Sequence, residues 1–213
     1  MIVAIDGPAG SGKSAVGSRV AAALGLPFVD SGLLYRAVAC AAMDHGIDLE
    51  DEEALTRLAH SVTLHIEGRT VEIDHTDLTG RVYAPELSEG ASRVGRVAGV
   101  RLALVAQLRR MGRGGVVMAG RDIGTVVFPD SPHKFFLTAS VEERTKRRAL
   151  QIEARGEQPD ESAIRQEVRE RDRRDSERAV APLRAADDAV VLDTDGLALS
   201  EVVTAIVAHV RGD

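Results

Sequence analysis

A glycine-rich segment near the N-terminus has the residue types and spacing of a loop that binds nucleotide phosphates. Residues 7 to 14 read GPAGSGKS and fit the pattern G-x-x-x-x-G-K-[ST]. In such a loop, glycines let backbone N–H groups face phosphate oxygens, Lys13 can bridge the β- and γ-phosphates, and the Ser14 hydroxyl can ligate Mg²⁺. The predicted nucleotide-binding residues are Gly7, Pro8, Ala9, Gly10, Ser11, Gly12, Lys13, Ser14 and Ala15.

Charged side chains also follow two other apolar segments. The sequence DSGLLYR runs from Asp30 to Arg36, and GRD ends with Arg121 and Asp122. Ligands of open parallel sheets bind at the carboxyl ends of the strands, so these residues are expected near the phosphate loop. Arginine suits phosphate because its planar fork donates two parallel hydrogen bonds. Exposed surface ion pairs are the alternative interpretation.

An arginine-rich segment between residues 144 and 178 holds 11 basic and 9 acidic residues. Arg144 and Arg148 are four residues apart and therefore share a predicted helix face. Residues 156 to 159 interrupt the helical pattern and predict a mobile turn between two helices. Arg171, Arg174 and Arg178 are three and four residues apart, so they share one face of a second predicted helix. Asp175 lies on the same face. This segment is either a solvent-exposed pair of helices with internal ion pairs, or a basic lid that excludes water during phosphoryl transfer.

Apolar runs that alternate with helical periods predict an α/β fold around a parallel sheet. The predicted strands are residues 2–6, 27–29, 115–119, 134–137 and 190–192. Alternating apolar residues on both sides of Gly68-Arg69 predict an antiparallel hairpin instead. This hairpin lies within an expected insert of about residues 60–90.

Composition excludes several classes of protein. The 213 residues carry 27 basic and 33 acidic side chains, a net charge of −6, which disfavours a nucleic-acid or anionic-membrane binder. A single cysteine, Cys40, rules out an intramolecular disulfide, and the chain has no Asn, which GTPases need for base recognition. We see no targeting segment and no membrane-length apolar run, so the cytoplasm is the expected location. Among proteins with a phosphate-binding loop, the class that these exclusions leave is a small ATP-dependent kinase that binds a second substrate beside ATP.

Four segments together resemble the bacterial-type cytidylate kinases, which belong to the nucleoside-monophosphate kinase class of P-loop kinases. They are IDGPAGSGKS (5–14), DSGLLYRA (30–37), AGRDIGTVVFPD (119–130) and ERDRRDSERAVAPL (170–183). The resemblance implies a single three-layer α/β/α domain over residues 1–213 with a five-stranded parallel sheet. It also implies core segments 1–59 and 91–213, a β-containing insert at about 60–90 and a helical lid at about 148–165.

The same resemblance implies transfer of the γ-phosphoryl group of ATP, as Mg-ATP, to CMP or dCMP, by a protein expected to be a monomer. It assigns the acceptor phosphate to Arg36, Arg121 and Arg178, and the sugar to Arg171 and Asp175. It assigns the cytosine to Ser92, Arg101 and Asp122, and the pocket wall to Ser31 and Tyr35. Lys13, Arg148 and Arg178 are the implied catalytic residues and Arg144 an ATP-binding one. Spacing leaves open which of Arg144 and Arg148 faces adenine and which faces the γ-phosphate.

The chemistry of cytosine agrees with these assignments. Its N4 amino group is a donor that uracil lacks, and a carboxylate such as Asp122 is its natural acceptor. Another small-molecule P-loop kinase, similar to shikimate or dephospho-coenzyme A kinases, is the main alternative. A non-catalytic nucleotide-binding module is a weaker one. A kinase assay that compares phosphoryl acceptors distinguishes these two alternatives from a cytidylate kinase.

Overall fold

The computed structural model describes residues 1–67 and 70–212. Its strands are β1 (Ile2–Asp6), β2 (Phe28–Asp30), β3 (Leu64–Glu67), β4 (Thr70–Ile73), β5 (Thr76–Asp77), β6 (Val116–Gly120), β7 (His133–Thr138) and β8 (Val190–Asp193). Its α-helices are α1 (Lys13–Leu24), α2 (Ser31–Asp44), α3 (Glu52–Ser61), α4 (Glu86–Val94), α5 (Ala98–Met111), α6 (Val141–Glu153), α7 (Glu161–Glu177) and α8 (Leu199–Arg211). A short π-helical turn, Ile123–Val127, follows β6.

The main sheet is parallel and has the strand order β2-β6-β1-β7-β8. The five strands that sequence analysis predicts are all present, so the predicted parallel α/β fold is confirmed. Asp6 pairs in register with Gly120, and Asp30 pairs with Ala119. The carboxyl ends of β1, β2 and β6 therefore lie side by side, and the loops that follow them meet at one edge.

Two hydrophobic cores cover the two faces of this sheet. Val3 and Ile5 of β1 pack with α1 and α8, whereas Ala4 belongs to the core formed with α2, α3 and α5. This alternation follows from the two-residue period of a strand, which sends successive side chains to opposite faces. The result is the expected three-layer α/β/α arrangement.

The predicted hairpin is present as β3 and β4, with Leu64 opposite Ile73. The predicted turn at Gly68-Arg69 lies outside the described residues. A short third strand, β5, extends the hairpin into an antiparallel sheet, and α4 crosses the expected insert limit at residue 90. The Gln107 carboxamide of α5 holds the sheet: its oxygen accepts the N–H of Leu64 at 2.9 Å.

Helices α6 and α7 are joined by residues 154–160, in the region where the lid is expected. Within the described ranges, no helix is both long and apolar enough to cross a bilayer.

Candidate active site

A cleft of about 830 Å³ lies at the carboxyl ends of β1, β2 and β6. Apart from Gly7 and Pro8, all the site residues that sequence analysis predicts line this cleft. On the nucleotide side these are Ala9, Gly10, Ser11, Gly12, Lys13, Ser14, Ala15, Arg144 and Arg148. On the acceptor side they are Ser31, Tyr35, Arg36, Ser92, Arg101, Arg121, Asp122, Arg171, Asp175 and Arg178.

Positive backbone angles shape the phosphate loop between β1 and α1. Gly10 and Gly12 have φ values of 80° and 90°, and Gly12 is the N-cap of α1. Side chains rarely adopt these angles, and a β-carbon at Gly7 would lie 2.1 Å from the Leu137 carbonyl oxygen. The glycines of the motif therefore fulfil steric requirements of this loop.

Lys13 is buried within its own loop. Its Nζ donates to the Pro8 carbonyl at 2.5 Å and to Ser11 Oγ at 3.3 Å. Burial lowers the pKa of this ammonium well below its ordinary value, and the nearby Arg121 charge lowers it further. An anionic phosphate beside Lys13 would favour the charged ammonium, so the site is electrostatically suited to a polyphosphate.

Ser14 and Asp30 bring two oxygen ligands together at the base of the loop. The Ser14 hydroxyl donates to Asp30 Oδ2 at 2.5 Å, while Asp30 Oδ1 accepts the N–H of Gly32 at 3.0 Å and caps α2. Hydroxyl and carboxylate oxygens are the ligand types that Mg²⁺ prefers. In the chain as described, no cluster of three or more His, Cys, Asp or Glu residues could hold a metal alone. This donor set fits Mg²⁺ that is bound mainly through nucleotide phosphates.

A buried ion pair lies at the centre of the acceptor side. The Arg101 guanidinium donates to Asp122 Oδ2, and the two side chains are 4% and 5% exposed. Arg101 also donates to the Gly95 carbonyl at 3.0 Å and lies 5.3 Å from the centroid of the Tyr35 ring. Burial raises the pKa of Tyr35 to about 12, so this phenol stays neutral.

Several polar atoms on this side have no hydrogen-bond partner among the residues that the structure describes. They include Ser92 Oγ, Arg101 Nε, Arg171 Nε and Arg178 Nη2. Unpaired buried polar groups are costly, so they indicate a position where a ligand supplies the missing partners.

The remaining acceptor-side arginines are held by carboxylates, hydroxyls or backbone oxygens. Arg121 Nε donates to Asp175 Oδ2 at 2.8 Å, and Arg36 donates to the Val82 carbonyl at 2.9 Å. Arg171 donates to Ser88 Oγ at 2.7 Å, and burial together with the Arg121 charge lowers its pKa to about 10. Burial alone would raise the pKa of Asp175, but Arg121 holds it below the ordinary value. The pocket thus concentrates positive charge with few compensating carboxylates.

The prediction that Arg178 lies on a helical face of α7 is wrong. The helix stops at Glu177, and Arg178 has an extended backbone with φ −61° and ψ 140°. Its Nε donates to the carbonyl of Ala181, a residue with a positive φ of 52°. This turn, rather than helical periodicity, directs Arg178 into the cleft. Arg174 of the same predicted face approaches Glu89 at 3.7 Å and does not line the cleft.

On the nucleotide side, Arg144 is held by protein groups. It forms two hydrogen bonds with the Asp172 carboxylate, at 2.7 and 2.6 Å, and donates to the Ala9 carbonyl of the phosphate loop at 3.2 Å. Arg148 has a single long contact with Gln151, at 3.4 Å, among the hydrogen bonds described. Arg148 is thus the less constrained of the two.

Three residues of the site escaped sequence analysis. Arg147, between two other basic residues, donates to the Thr194 hydroxyl and carbonyl at 3.0 and 2.8 Å. Asp172 holds Arg144, and the buried Asp6 accepts two backbone N–H groups beside the cleft. The sequence offered one signal for Asp6, an acidic residue that ends an apolar strand directly before the loop.

Comparison with known proteins agrees with this geometry. The family model described as "Cytidylate kinase" matches residues 3–212. A cytidylate kinase from Methylocella silvestris is 51% identical over 92% of this chain and 88% of its own. One from Pseudomonas paraeruginosa is 45% identical over 98% of this chain and 94% of its own.

Solved structures support the fold. A gluconokinase from Sinorhizobium meliloti superimposes with a TM-score of 0.50 at 20% identity, covering 99% of this chain and 91% of the gluconokinase. At this identity the likeness concerns the fold alone. The match over nearly the whole chain, together with the curated relatives, leads to one conclusion: the chain belongs to the cytidylate kinase family.

Proposed function

We propose that this protein transfers the γ-phosphoryl group of ATP to CMP or dCMP, giving ADP and CDP or dCDP. The observation that carries the proposal is the buried Arg101–Asp122 pair, which shares one cleft with the phosphate loop. A carboxylate and a guanidinium side by side present an acceptor and donors to the edge of a base. That pattern matches the N4 donor and the N3 and O2 acceptors of cytosine.

Base selection follows from this pairing. Asp122 accepts from the cytosine N4 amino group, Arg101 donates toward N3 and O2, and the free Ser92 hydroxyl completes the edge. Uracil would place a carbonyl oxygen against Asp122 and leave two acceptors unpaired. Such a buried mismatch costs on the order of 1–3 kcal/mol.

The arginines bind the rest of the acceptor. Arg36, Arg121 and Arg178 surround its phosphate, and Arg171 and Asp175 hold its sugar. Ser31 and Tyr35 form the wall of this pocket. The free Nη2 of Arg178 and Nε of Arg171 support this arrangement, because they are donors without a partner in the described part of the chain.

The reaction needs no general base, because the attacking phosphate oxygen of CMP is already anionic. That oxygen forms a bond to the γ-phosphorus in line with the bond that breaks toward the β-phosphate oxygen. Lys13, Arg148 and Arg178 neutralise the charge that spreads over the transferring oxygens. Ser14, with Asp30 behind it, would hold the Mg²⁺ of Mg-ATP, which supplies charge neutralisation at the β- and γ-phosphates when bound.

The proposed architecture assigns one role to each segment. Residues 60–90 form an insert on the acceptor side, residues 148–165 form a lid that excludes water, and the whole chain is one domain. The protein acts as a monomer in the cytoplasm, on two small substrates rather than on nucleic acid or a membrane.

A coupled ADP-release assay tests the proposal. Purified protein with Mg-ATP is offered CMP, dCMP, UMP, AMP and shikimate in turn. Rapid turnover with CMP or dCMP and slow turnover with the others is the expected result. Preferred turnover of shikimate would indicate the alternative kinase class, and no turnover with any acceptor would indicate a non-catalytic module.

A further inference from the structure

Asp6 is a buried carboxylate that the proposed mechanism does not use. It ends β1, directly before the phosphate loop, and is 4% exposed. Its Oδ1 accepts the N–H of Ile123 at 2.8 Å, and its Oδ2 accepts the N–H of Gly124 at 2.7 Å. Both oxygens of one side chain therefore hold two consecutive backbone donors on a neighbouring loop.

The segment that Asp6 holds is the one that carries Asp122. Asp122 is the N-cap of the π-helical turn, and its carbonyl accepts the N–H groups of Val126 and Val127 at 2.9 and 3.1 Å. The side chain of Asp122 points back to Arg101. Moving Ile123 or Gly124 would therefore move the Asp122 carboxylate relative to Arg101.

The Asp6 carboxylate lies at a position where burial disfavours its charged form. Desolvation raises the pKa of Asp6 to about 6, despite the two backbone donors and the nearby Lys13, which lower it. The neutral isostere Asn has one acceptor oxygen and would face one of the two N–H groups with its own donor. A carboxylate at this position is explained by the need to accept the N–H groups of Ile123 and Gly124 at the same time.

We propose that Asp6 is a positioning residue for base recognition, whose carboxylate fixes the turn after β6 so that Asp122 meets Arg101 and the acceptor base. This inference rests on the proposed function. It means that a residue at the end of β1, directly before the phosphate loop, holds the turn that carries Asp122.

The test compares Asp6→Asn with a matched control, Asp51→Asn, in steady-state kinetics with CMP and UMP. Asp51 also accepts a backbone N–H, that of Ala54, but at the exposed start of α3 outside the cleft. For Asp6→Asn we expect KM for CMP to rise roughly tenfold and the CMP-over-UMP preference to fall by a similar factor, as for one lost hydrogen bond to a charged group. KM for ATP should change less than about twofold, and Asp51→Asn should match wild type.

The results distinguish two kinds of failure. If Asp6→Asn keeps its KM for CMP and its preference while KM for ATP rises, Asp6 serves the phosphate loop and the inference is overturned. If wild type itself shows no preference for CMP, the proposed function fails and the inference fails with it.

A second variant guards against misfolding of Asp6→Asn. A β-carbon at Gly124 would lie 3.4 Å from Asp6 Oδ2 and 3.2 Å from the Lys134 side chain. Gly124→Ala therefore requires the turn or the Lys134 side chain to shift by a few tenths of an ångström while the carboxylate stays. It should show the same selective rise in KM for CMP, of smaller size, and an unchanged KM for CMP would contradict the inference.

Discussion

The phosphate loop on the nucleotide side of the cleft is formed by consecutive residues between β1 and the first turn of α1, whereas the acceptor side takes its side chains from α2, α4, α5, α7 and the end of β6. The first depends on backbone angles at glycines, and its lysine is held by the loop itself. The second depends on ion pairs between residues far apart in sequence, such as Arg101 and Asp122. A local motif thus supplies phosphate binding, and tertiary contacts supply selectivity for the second substrate.

Removing the loop lysine should have the largest effect. Lys13→Ala is expected to lower kcat on the order of 10³-fold, because it removes the positive charge that the phosphate loop itself presents to the transferring phosphoryl group. Single-turnover kinetics with CMP would measure the loss. Lys146→Ala is the control, since Lys146 is exposed on α6 and does not line the cleft. Retained turnover in Lys13→Ala would refute the loop's catalytic role.

Breaking the buried Arg101–Asp122 pair should have the next largest effect, and it should change the selectivity between CMP and UMP as well as the rate. Asp122→Asn is expected to lower kcat/KM for CMP roughly 100-fold, because it leaves the Arg101 charge without its partner. Its amide can donate to uracil O4, so UMP turnover relative to CMP should rise. The control is Asp44→Asn, which breaks an Arg81 pair whose side chains are 53% and 44% exposed. An unchanged CMP-over-UMP ratio would remove Asp122 from base recognition.

The Arg144–Asp172 pair tests whether the two sides are separable. Asp172→Asn should raise KM for ATP about tenfold, because it frees Arg144 from the position in which it contacts the Ala9 carbonyl. Steady-state kinetics, with ATP varied at saturating CMP and CMP varied at saturating ATP, would measure both KM values. Glu177→Gln, which alters an exposed pair with Arg173 on the same helix, should have no effect. A rise in KM for CMP alone would place this pair on the acceptor side.

The smallest expected effect concerns stability. Because the pKa of Asp6 is raised to about 6 in the folded protein, its contribution to stability is full below the unfolded pKa and is lost as pH rises through 6. The free energy of unfolding of wild type minus that of Asp6→Asn should therefore fall by about 1 kcal/mol between pH 5 and pH 8. Asp122 and Lys13 are the charged groups that act on the pKa of Asp6, and neither is altered by this substitution. Urea denaturation at both pH values would detect it, and a difference that does not change with pH would contradict a raised pKa.

The difference between the two sides also explains what the sequence could predict. A strand, a glycine loop and a helix in register form one local pattern, so the loop and β1 were predictable. The pairing of the charges was not predictable, because Arg101 and Asp122 meet through the packing of α5 on the π-helical turn after β6. The end of α7 before Arg178 carries no Gly or Pro signal, and β5 is too short to show a period. Arg147 and Arg148 are adjacent, so composition could not show which one contacts Thr194.

The contacts of Arg144 determine how helices α6 and α7 can move. Arg144 ties the first half of α6 to the last turns of α7 and to the phosphate loop, whereas the connection at 154–160 is far from these anchors in sequence. If α6 and α7 form the proposed lid, opening as one rigid block would break this anchor, so opening should instead bend the helix pair beyond Arg144. The segment beyond Arg144 carries Arg148, Gln151 and Arg155, and its backbone amides should exchange with solvent faster than those around Arg144.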